Sequence, residues 1–259
     1  MTPHGASRIS GPIILALENS SQCGSVALVA PGLCLAEYSL TTGTTHSRRL
    51  LTSVQQVMTD SGIKWEQLSA IAISAGPGSF TGLRIGLTTA KGLALASGKP
   101  LIAVSSLTTL ASQLPWTNSM ICPVLDARKQ EVYTAFYRCA DDEIPHRVSE
   151  IVAIPPHELA QSIKEDVIFL GDGTKIYSDI LRDGVTGRVS FANPEIFFIR
   201  AAALGATALR KWYTQDLLDT ATAIPDYIRP SEAEISLKQT CQIWPKDLPG
   251  RPQGFCSCE

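Results

Sequence analysis

One stretch constrains the fold more than any other: residues 72–95, AISAGPGSFTGLRIGLTTAKGLAL. A short apolar strand, Ala70 to Ile73, runs into Gly76-Pro77-Gly78-Ser79-Phe80-Thr81-Gly82. Helical sequence follows, with small residues at Gly82, Gly86, Ala90 and Ala94. Glycine has no Cβ, so a backbone turning through Gly76 and Gly78 can approach a partner closely. Small residues four apart share one helix face and let another element come near. The segment is thus a strand-turn-helix unit with three open uses: a phosphate cradle, a helix-docking surface, or a tight turn and no more.

The two familiar phosphate loops do not fit. A dinucleotide fingerprint needs its third glycine three residues after the second, where this chain has Thr81; Gly82 comes one residue late. A Walker A loop ends in Gly-Lys-Ser/Thr, and this chain offers Gly82-Leu83-Arg84. A looser anion site at the helix N-terminus, with Arg84 in its first turns, stays open.

The chain has 259 residues, 44% of them hydrophobic, enough for one large domain or two lobes with cores of their own. Its net charge of −2 gives no global electrostatic case for gripping nucleic acid or an anionic membrane. The first apolar run, Ile13 to Leu17, is strand-length and leads into polar residues, unlike a signal peptide. No stretch has the apolar length of a membrane helix. Seven scattered cysteines without a Cys-x-x-Cys pair suit reduced thiols, and the expectation is a cytoplasmic protein. The four histidines include no i, i+4 pair, so no metal site is expected.

Along the chain, 13–17, 25–30 and 33–40 read as strands. The apolar positions Leu50, Leu51, Val54, Val57 and Met58 make 46–61 a helix, capped by Thr44 or Thr45 and ended by Gly62. A strand at 101–104 precedes a helix at 107–114. The pattern then repeats: 121–125 is strand-like, 126–130 is polar, and 131–137 alternates as a returning strand. Ala16-Leu17-Glu18 and Val124-Leu125-Asp126 both end an apolar strand in a carboxylate, which points to two related lobes each opening with a hairpin. Later elements are a helix at 156–163, strands at 167–170 and 189–191, and a helix from Asn193-Pro194-Glu195 to about Tyr213, with 227–229 closing the ordered part. Alternating strands and helices make the class α/β. The expected division is an N-terminal lobe over 1–108 with the partner-binding helices, a C-terminal lobe over 109–237, and a flexible tail over 238–259.

Several of these segments resemble one family. Ile14-Leu15-Ala16-Leu17-Glu18-Asn19-Ser20-Ser21, Ser25-Val26-Ala27-Leu28 and His46-Ser47-x-x-Leu50-Leu51 are similar to the opening of TsaB (YeaZ) proteins. The run Gly76 to Gly86, with Lys91-Gly92-Leu93-Ala94, is very similar to their central motif. Val104-Ser105-Ser106-Leu107, Asp126-Ala127-Arg128 with Glu131-Val132-Tyr133, and Gly171-Asp172-Gly173 follow in the expected order, and the resemblance spans about residues 13–235. It implies a two-lobed actin-like ATPase (ASKHA) fold, each lobe a mixed sheet flanked by helices. It also implies a part in making N6-threonylcarbamoyladenosine on the tRNA adenosine beside the anticodon. In that pathway the TsaB-like chain is a non-catalytic scaffold that pairs with its paralogue TsaD, and an ATPase, TsaE, joins them. The resemblance places ATP and metal on those partners and none in this chain, allows a homodimer, and brings tRNA to the chain only through the complex.

A TsaD-like catalyst needs a paired-histidine motif, and here His46 is followed by Arg49 and Leu50. Without that metal no Lewis acid polarises the carbonyl. Glu18 stands where the family usually has Asp, on a glycine-poor turn that argues against tight Mg-ATP binding. The expected partner interface comprises Leu50, Val54, Met58, Phe80, Gly82, Arg84, Gly86 and Ala90, with Leu51 and Val54 also facing the chain's own core. A weaker set of nucleotide or phosphate contacts is Glu18, Gly76, Gly78, Ser79, Asp126, Gly171 and Asp172; turn-forming roles are the plainer account of Asp126 and Asp172. The competing functions are a stand-alone metal-dependent peptidase and a small-molecule kinase of the actin-like superfamily.

Overall fold

Apolar side chains on both faces of one strand organise the first half of the molecule. The computed structural model describes residues 10–41, 46–114, 116–224 and 228. In β1 (Ile14–Glu18) every residue is buried: Leu15 and Leu17 enter one hydrophobic cluster, Ile14 and Ala16 another. Only a central strand has apolar neighbours on both sides. Around it lie β2 (Cys23–Ala30), β3 (Leu33–Thr41), then α1 (His46–Ser61), β4 (Ala70–Gly76), α2 (Phe80–Ser97) and β5 (Leu101–Ser105). The strand order is β3-β2-β1-β4-β5. β2 and β3 run antiparallel in a hairpin meander; β4 and β5 run parallel to β1. The hydroxyl of Ser79 caps α2 by accepting from the Gly82 N–H at 3.3 Å, and Gly98, at φ 66°, ends it.

The second half repeats this plan. A short α3 (Ser106–Ala111) leads into β6 (Met120–Asp126), β7 (Val132–Thr134), β8 (Tyr137–Cys139), β9 (Pro145–Arg147) and β10 (Val152–Ile154). Then come α4 (Pro156–Ser162), β11 (Val167–Leu170), α5 (Thr174–Gly184), β12 (Val189–Phe191) and α6 (Ala201–Tyr213). The order β10-β7-β6-β11-β12 matches the first sheet strand for strand, with the same two antiparallel and two parallel pairings. The small β8–β9 hairpin hangs off β6. The two related lobes expected from the hairpins are thus present as two sheets of one topology.

Each sheet is covered on both faces. α1 and α2 supply Leu50, Val54, Leu87 and Ala90 to one face of the first sheet. The opposite face is covered by α6 through Leu204, Ala208 and Leu209, so the last helix crosses back from the second half. Glu37 on β3 secures it: its carboxylate accepts from Arg200 Nε at 3.0 Å and from the Ala202 N–H at 3.0 Å, while Ser25 Oγ accepts from the Ala201 N–H at 3.0 Å. These bonds satisfy the N–H groups that any helix start leaves open. After α6, Leu218 pairs with Leu101, and Lys91 Nζ donates to the carbonyls of Ala221 and Ala223 at 3.3 and 3.2 Å.

Several expectations need correction. The strand read over 131–137 is two strands, because the Phe136 N–H turns aside to donate to Ser149 Oγ at 2.8 Å. The helix read from Asn193 is a single turn over Pro194–Ile196; the chain then bends through 197–198, and Ile199 is buried in a cluster with Leu107, Leu110 and Tyr137 before α6 starts. α5 is missing from the sequence reading although Ile176, Tyr177, Ile180 and Leu181 recur at helical spacing; of these Leu181 is buried, while Ile176 and Ile180 are exposed. The Thr44 or Thr45 cap, the closing residues Tyr227 and Arg229 and the 238–259 tail lie outside the described residues.

Candidate functional site

In both halves the turn after the central strand meets a glycine loop. In the first half these are the Glu18–Ser21 turn and Gly76–Gly82. A Cβ on Gly78 would overlap the carbonyl oxygen of Ser20, and one on Gly82 would overlap that of Asn19. A Cβ on Gly86 would sit 3.1 Å from Ile73 Cδ1 and 3.2 Å from Asn19 Cβ. The Ser79 N–H donates to the Ser20 carbonyl at 2.7 Å, and Asn19 Nδ2 donates to the Gly82 carbonyl at 2.8 Å. The close approach these glycines permit is made to the chain's own hairpin. The groove expected to receive a partner helix at Gly82, Gly86 and Ala90 is filled from within, and Ala90 itself is fully buried.

Gly76 takes φ 119° where β4 ends, and the Gly76–Pro77 peptide is cis. Ser79, expected as a phosphate contact, is the N-cap of α2, and its hydroxyl already accepts from Gly82. The residues of the expected phosphate cradle therefore serve a strand-to-helix turn.

Glu18 is the unusual residue of this region. Its side chain is fully buried. Burial pushes its carboxyl from an ordinary value near 4.5 up to about 7, opposed in part by hydrogen bonds from Ser20. Oε1 accepts from the Ser20 N–H at 2.6 Å and from Ser20 Oγ at 2.5 Å. Ser106 Oγ donates to Ser20 Oγ at 3.0 Å and lies 2.7 Å from Ser74 Oγ. Glu18 Oε2 has no hydrogen bond. Sequence reading singles out Glu18 and misses the serines. The available signal is Ser74, a hydroxyl in the otherwise apolar Ala70–Gly76 strand.

The expected partner anchors divide by burial. Leu50, Val54 and Met58 are 3%, 0% and 7% exposed and belong to the first core, because this face of α1 packs on the chain's own sheet. Leu51, expected in the core, is instead 49% exposed. On α2, Arg84 is exposed and its guanidinium stacks 3.9 Å from the centre of the half-buried Phe80 ring. Leu95, further along, is 72% exposed. Apolar and cationic groups therefore remain on the outward sides of α1 and α2 at Leu51, Phe80, Arg84 and Leu95.

In the second half, Asp126 ends β6 and organises its own turn. Its Oδ1 accepts from the Arg128 N–H at 2.9 Å, and Oδ2 lies 3.2 Å from Arg128 Nη1. Arg128, Lys129 and Gln130 all take left-handed φ values, of 63°, 51° and 60°. The glycine loop presses on this hairpin as in the first half: a Cβ on Gly171 would overlap the Val124 carbonyl, to which the Gly173 N–H donates at 3.1 Å. Asp172 Oδ1 accepts from the Asp126 N–H at 3.1 Å. Burial raises the Asp172 carboxyl, and the Asp126 charge adds to the rise. Both aspartates thus act as turn residues. Among the described residues, no group of three or more His, Cys, Asp or Glu side chains is placed to hold a metal ion.

Comparison with known proteins places this architecture. Residues 40–237 match the family model described as "TsaD: tRNA N6-adenosine threonylcarbamoyltransferase". The chain is 32% identical over 228 residues to the tRNA threonylcarbamoyladenosine biosynthesis protein TsaB of Bacillus subtilis, covering 85% of this chain and 96% of that one. It is 35% identical over 184 residues to TsaB of Escherichia coli, covering 66% and 79%. Among solved structures, YeaZ from Pseudomonas aeruginosa superposes with a TM-score of 0.71 at 26% identity, over 83% of this chain and 99% of that one.

Proposed function

The chain belongs to the TsaB family, and from this premise we propose that it is a non-catalytic subunit in the formation of N6-threonylcarbamoyladenosine on tRNA. Its partner in this reading is a TsaD-like paralogue, which supplies the metal and the chemistry. A TsaE-like ATPase supplies ATP turnover, and tRNA reaches the chain through the assembly in the cytoplasm. A homodimer through the same helices is the alternative assembly in this reading.

One observation carries the proposal: the glycine motif from Gly76 to Gly86 is spent on internal packing. Gly78, Gly82 and Gly86 seat the first hairpin, and Ser79 caps its own helix. A loop committed in this way positions α2. What α2 and α1 then present outward is Leu51, Arg84 over Phe80, and Leu95. Apolar groups beside an arginine are the composition of an interface anchor.

The test is co-purification by size exclusion with the TsaD-like protein of the same organism, for the wild type and for Leu51→Asp and Arg84→Glu. A wild-type heterodimer lost in variants that keep their melting temperature supports the assignment. Absence of a complex at tens of micromolar, or micromolar ATP affinity in the isolated chain, overturns it. Bulky replacements at Gly82 or Gly86 do not probe this surface, since they strike Asn19.

A further inference from the structure

The turn between β2 and β3 and the second half of α6 enclose a groove of about 420 Å3. Its origin lies in the side chains of α6. At Gly205 the helix comes down on the sheet, where a Cβ would lie 2.6 Å from Val29 Cγ2. On the flanking face the helix carries only Ala202 and Ala206, too short to fill the space beside the turn. The floor is apolar: Val29, Ala30 and Leu209 are all buried. Leu33 and Tyr213 stand at its edges with more than half of their surface exposed. A concave apolar surface of this volume with a few polar groups has the make-up of a small-molecule site.

Arg210 supplies the charge of this lining. Its guanidinium donates to Thr207 Oγ1 at 3.2 Å, a neutral acceptor, and among the described residues it has no ion pair. The charge of Asp142 also acts on it, but Asp142 is already held by His146 Nε2 at 2.8 Å and by the Ile144 N–H at 3.1 Å. The other nearby cations are engaged: Arg200 with Glu37, and Lys211 with Asp216 at 2.9 Å. An anion reaching Arg210 therefore gains a charge-assisted hydrogen bond without displacing a carboxylate.

We propose that this groove binds a small amphiphilic carboxylate, its hydrocarbon part on Val29, Ala206 and Leu209 and its carboxylate on Arg210. The two features together select the ligand. A neutral hydrocarbon leaves the guanidinium unused, and an inorganic anion leaves the apolar floor in water. A nucleotide or sugar phosphate would set polar groups on that floor without partners, which is costly. The occupant ties the β2–β3 turn to the last turns of α6, adding to the Glu37 contacts that hold the start of the helix. The groove lies beside α6, on the opposite face of the first sheet from α1 and α2. It does not depend on the TsaD-partner reading and stands or falls separately.

Cys34 provides a reporter, since it lines the groove and is exposed, whereas Cys23 and Cys122 are buried. The test measures alkylation of each thiol of the reduced full chain by iodoacetamide, resolved by peptide mass spectrometry, with sodium octanoate, octan-1-ol or sodium acetate present. Calorimetry gives the affinities. Millimolar octanoate should slow alkylation of Cys34 several-fold and leave Cys139 unchanged, and acetate should do neither. Octanoate should bind roughly tenfold more tightly than octan-1-ol, and Arg210→Met should remove that advantage. Ala206→Trp, at an exposed position, should fill the groove and abolish binding of both. No protection of Cys34 by octanoate, equal affinity for octanoate and octan-1-ol, or octanoate binding retained in Ala206→Trp overturns the proposal. The wild-type comparison of octanoate with octan-1-ol needs no variant and decides the case if Ala206→Trp does not fold.

Discussion

The side-chain amide of Asn19 donates to the carbonyl oxygen of Gly82 at 2.8 Å, stitching the turn after β1 to the first turn of α2. The bond forms only because residue 82 carries no side chain, since a Cβ there would overlap the Asn19 backbone.

Gly82→Ala is therefore expected to destabilise the fold by about 3 kcal/mol through overpacking. A Cβ on Gly92, ten residues along the same helix, would meet nothing within 4 Å. Gly92→Ala should gain about 0.5 kcal/mol from helix propensity. Urea denaturation of the two variants distinguishes a packing role for the motif from a general helical one; equal effects would refute it.

Burial separates two adjacent leucines. Leu50 is 3% exposed and Leu51 49% exposed. Leu50→Ala should cost about 3 kcal/mol, and Leu51→Ala should stay within about 0.5 kcal/mol of the wild type. Thermal melts give both values. A large loss at Leu51 would assign that side chain to the core.

Glu18 makes stability depend on pH with a definite sign. Its carboxyl titrates at about 7 in the folded chain and near 4.5 as an ordinary glutamate, so the folded state holds the proton more tightly. The associated stability is fully present below about pH 4.5 and lost as pH rises to about 7, a difference of about 3 kcal/mol. Subtracting the unfolding free energies of Glu18→Gln from those of the wild type between about pH 5 and pH 8 isolates it. A flat difference curve would show that the carboxyl is ionised throughout.

Loss of the Glu37 carboxylate should loosen α6. Glu37→Ala leaves the Ala202 N–H and the Arg200 guanidinium without their acceptor. The expected cost is about 2 kcal/mol, mostly from the cap, because the Arg200 side chain is 57% exposed and remains solvated. Proteolysis within 201–213 should accelerate in step with the urea midpoint. Unchanged cleavage would mean that apolar packing alone retains the helix.

The repeated hairpins could be read from the sequence because each is a local pattern: an apolar run, a carboxylate and a returning strand. The α1 limits, His46–Ser61, were legible for the same reason. The direction of a helix face was not. Leu50 and Leu51 are equally apolar, and only the position of the first sheet decides which is inside. The glycines announced a close approach without naming the partner, since the contacting Asn19 lies sixty-three residues before Gly82. The serines around Glu18 were hidden in the same way: Ser20, Ser74 and Ser106 come from three distant segments, and serine is too common a turn residue to stand out.

The return of α6 to the first sheet sets the order in which the protein can be completed during synthesis. Residues 14–105 leave the ribosome able to pair their five strands and to cover one face with α1 and α2. The other face, with Ile14, Ala16, Val29, Ala72 and Ile102, stays bare until residues 201–213 emerge. At ribosomal speeds of about 5–20 residues per second, that is an interval of several seconds or more. An apolar sheet face lacking its cover for so long is a natural client for a chaperone, and chains truncated before α6 would be held in that state permanently.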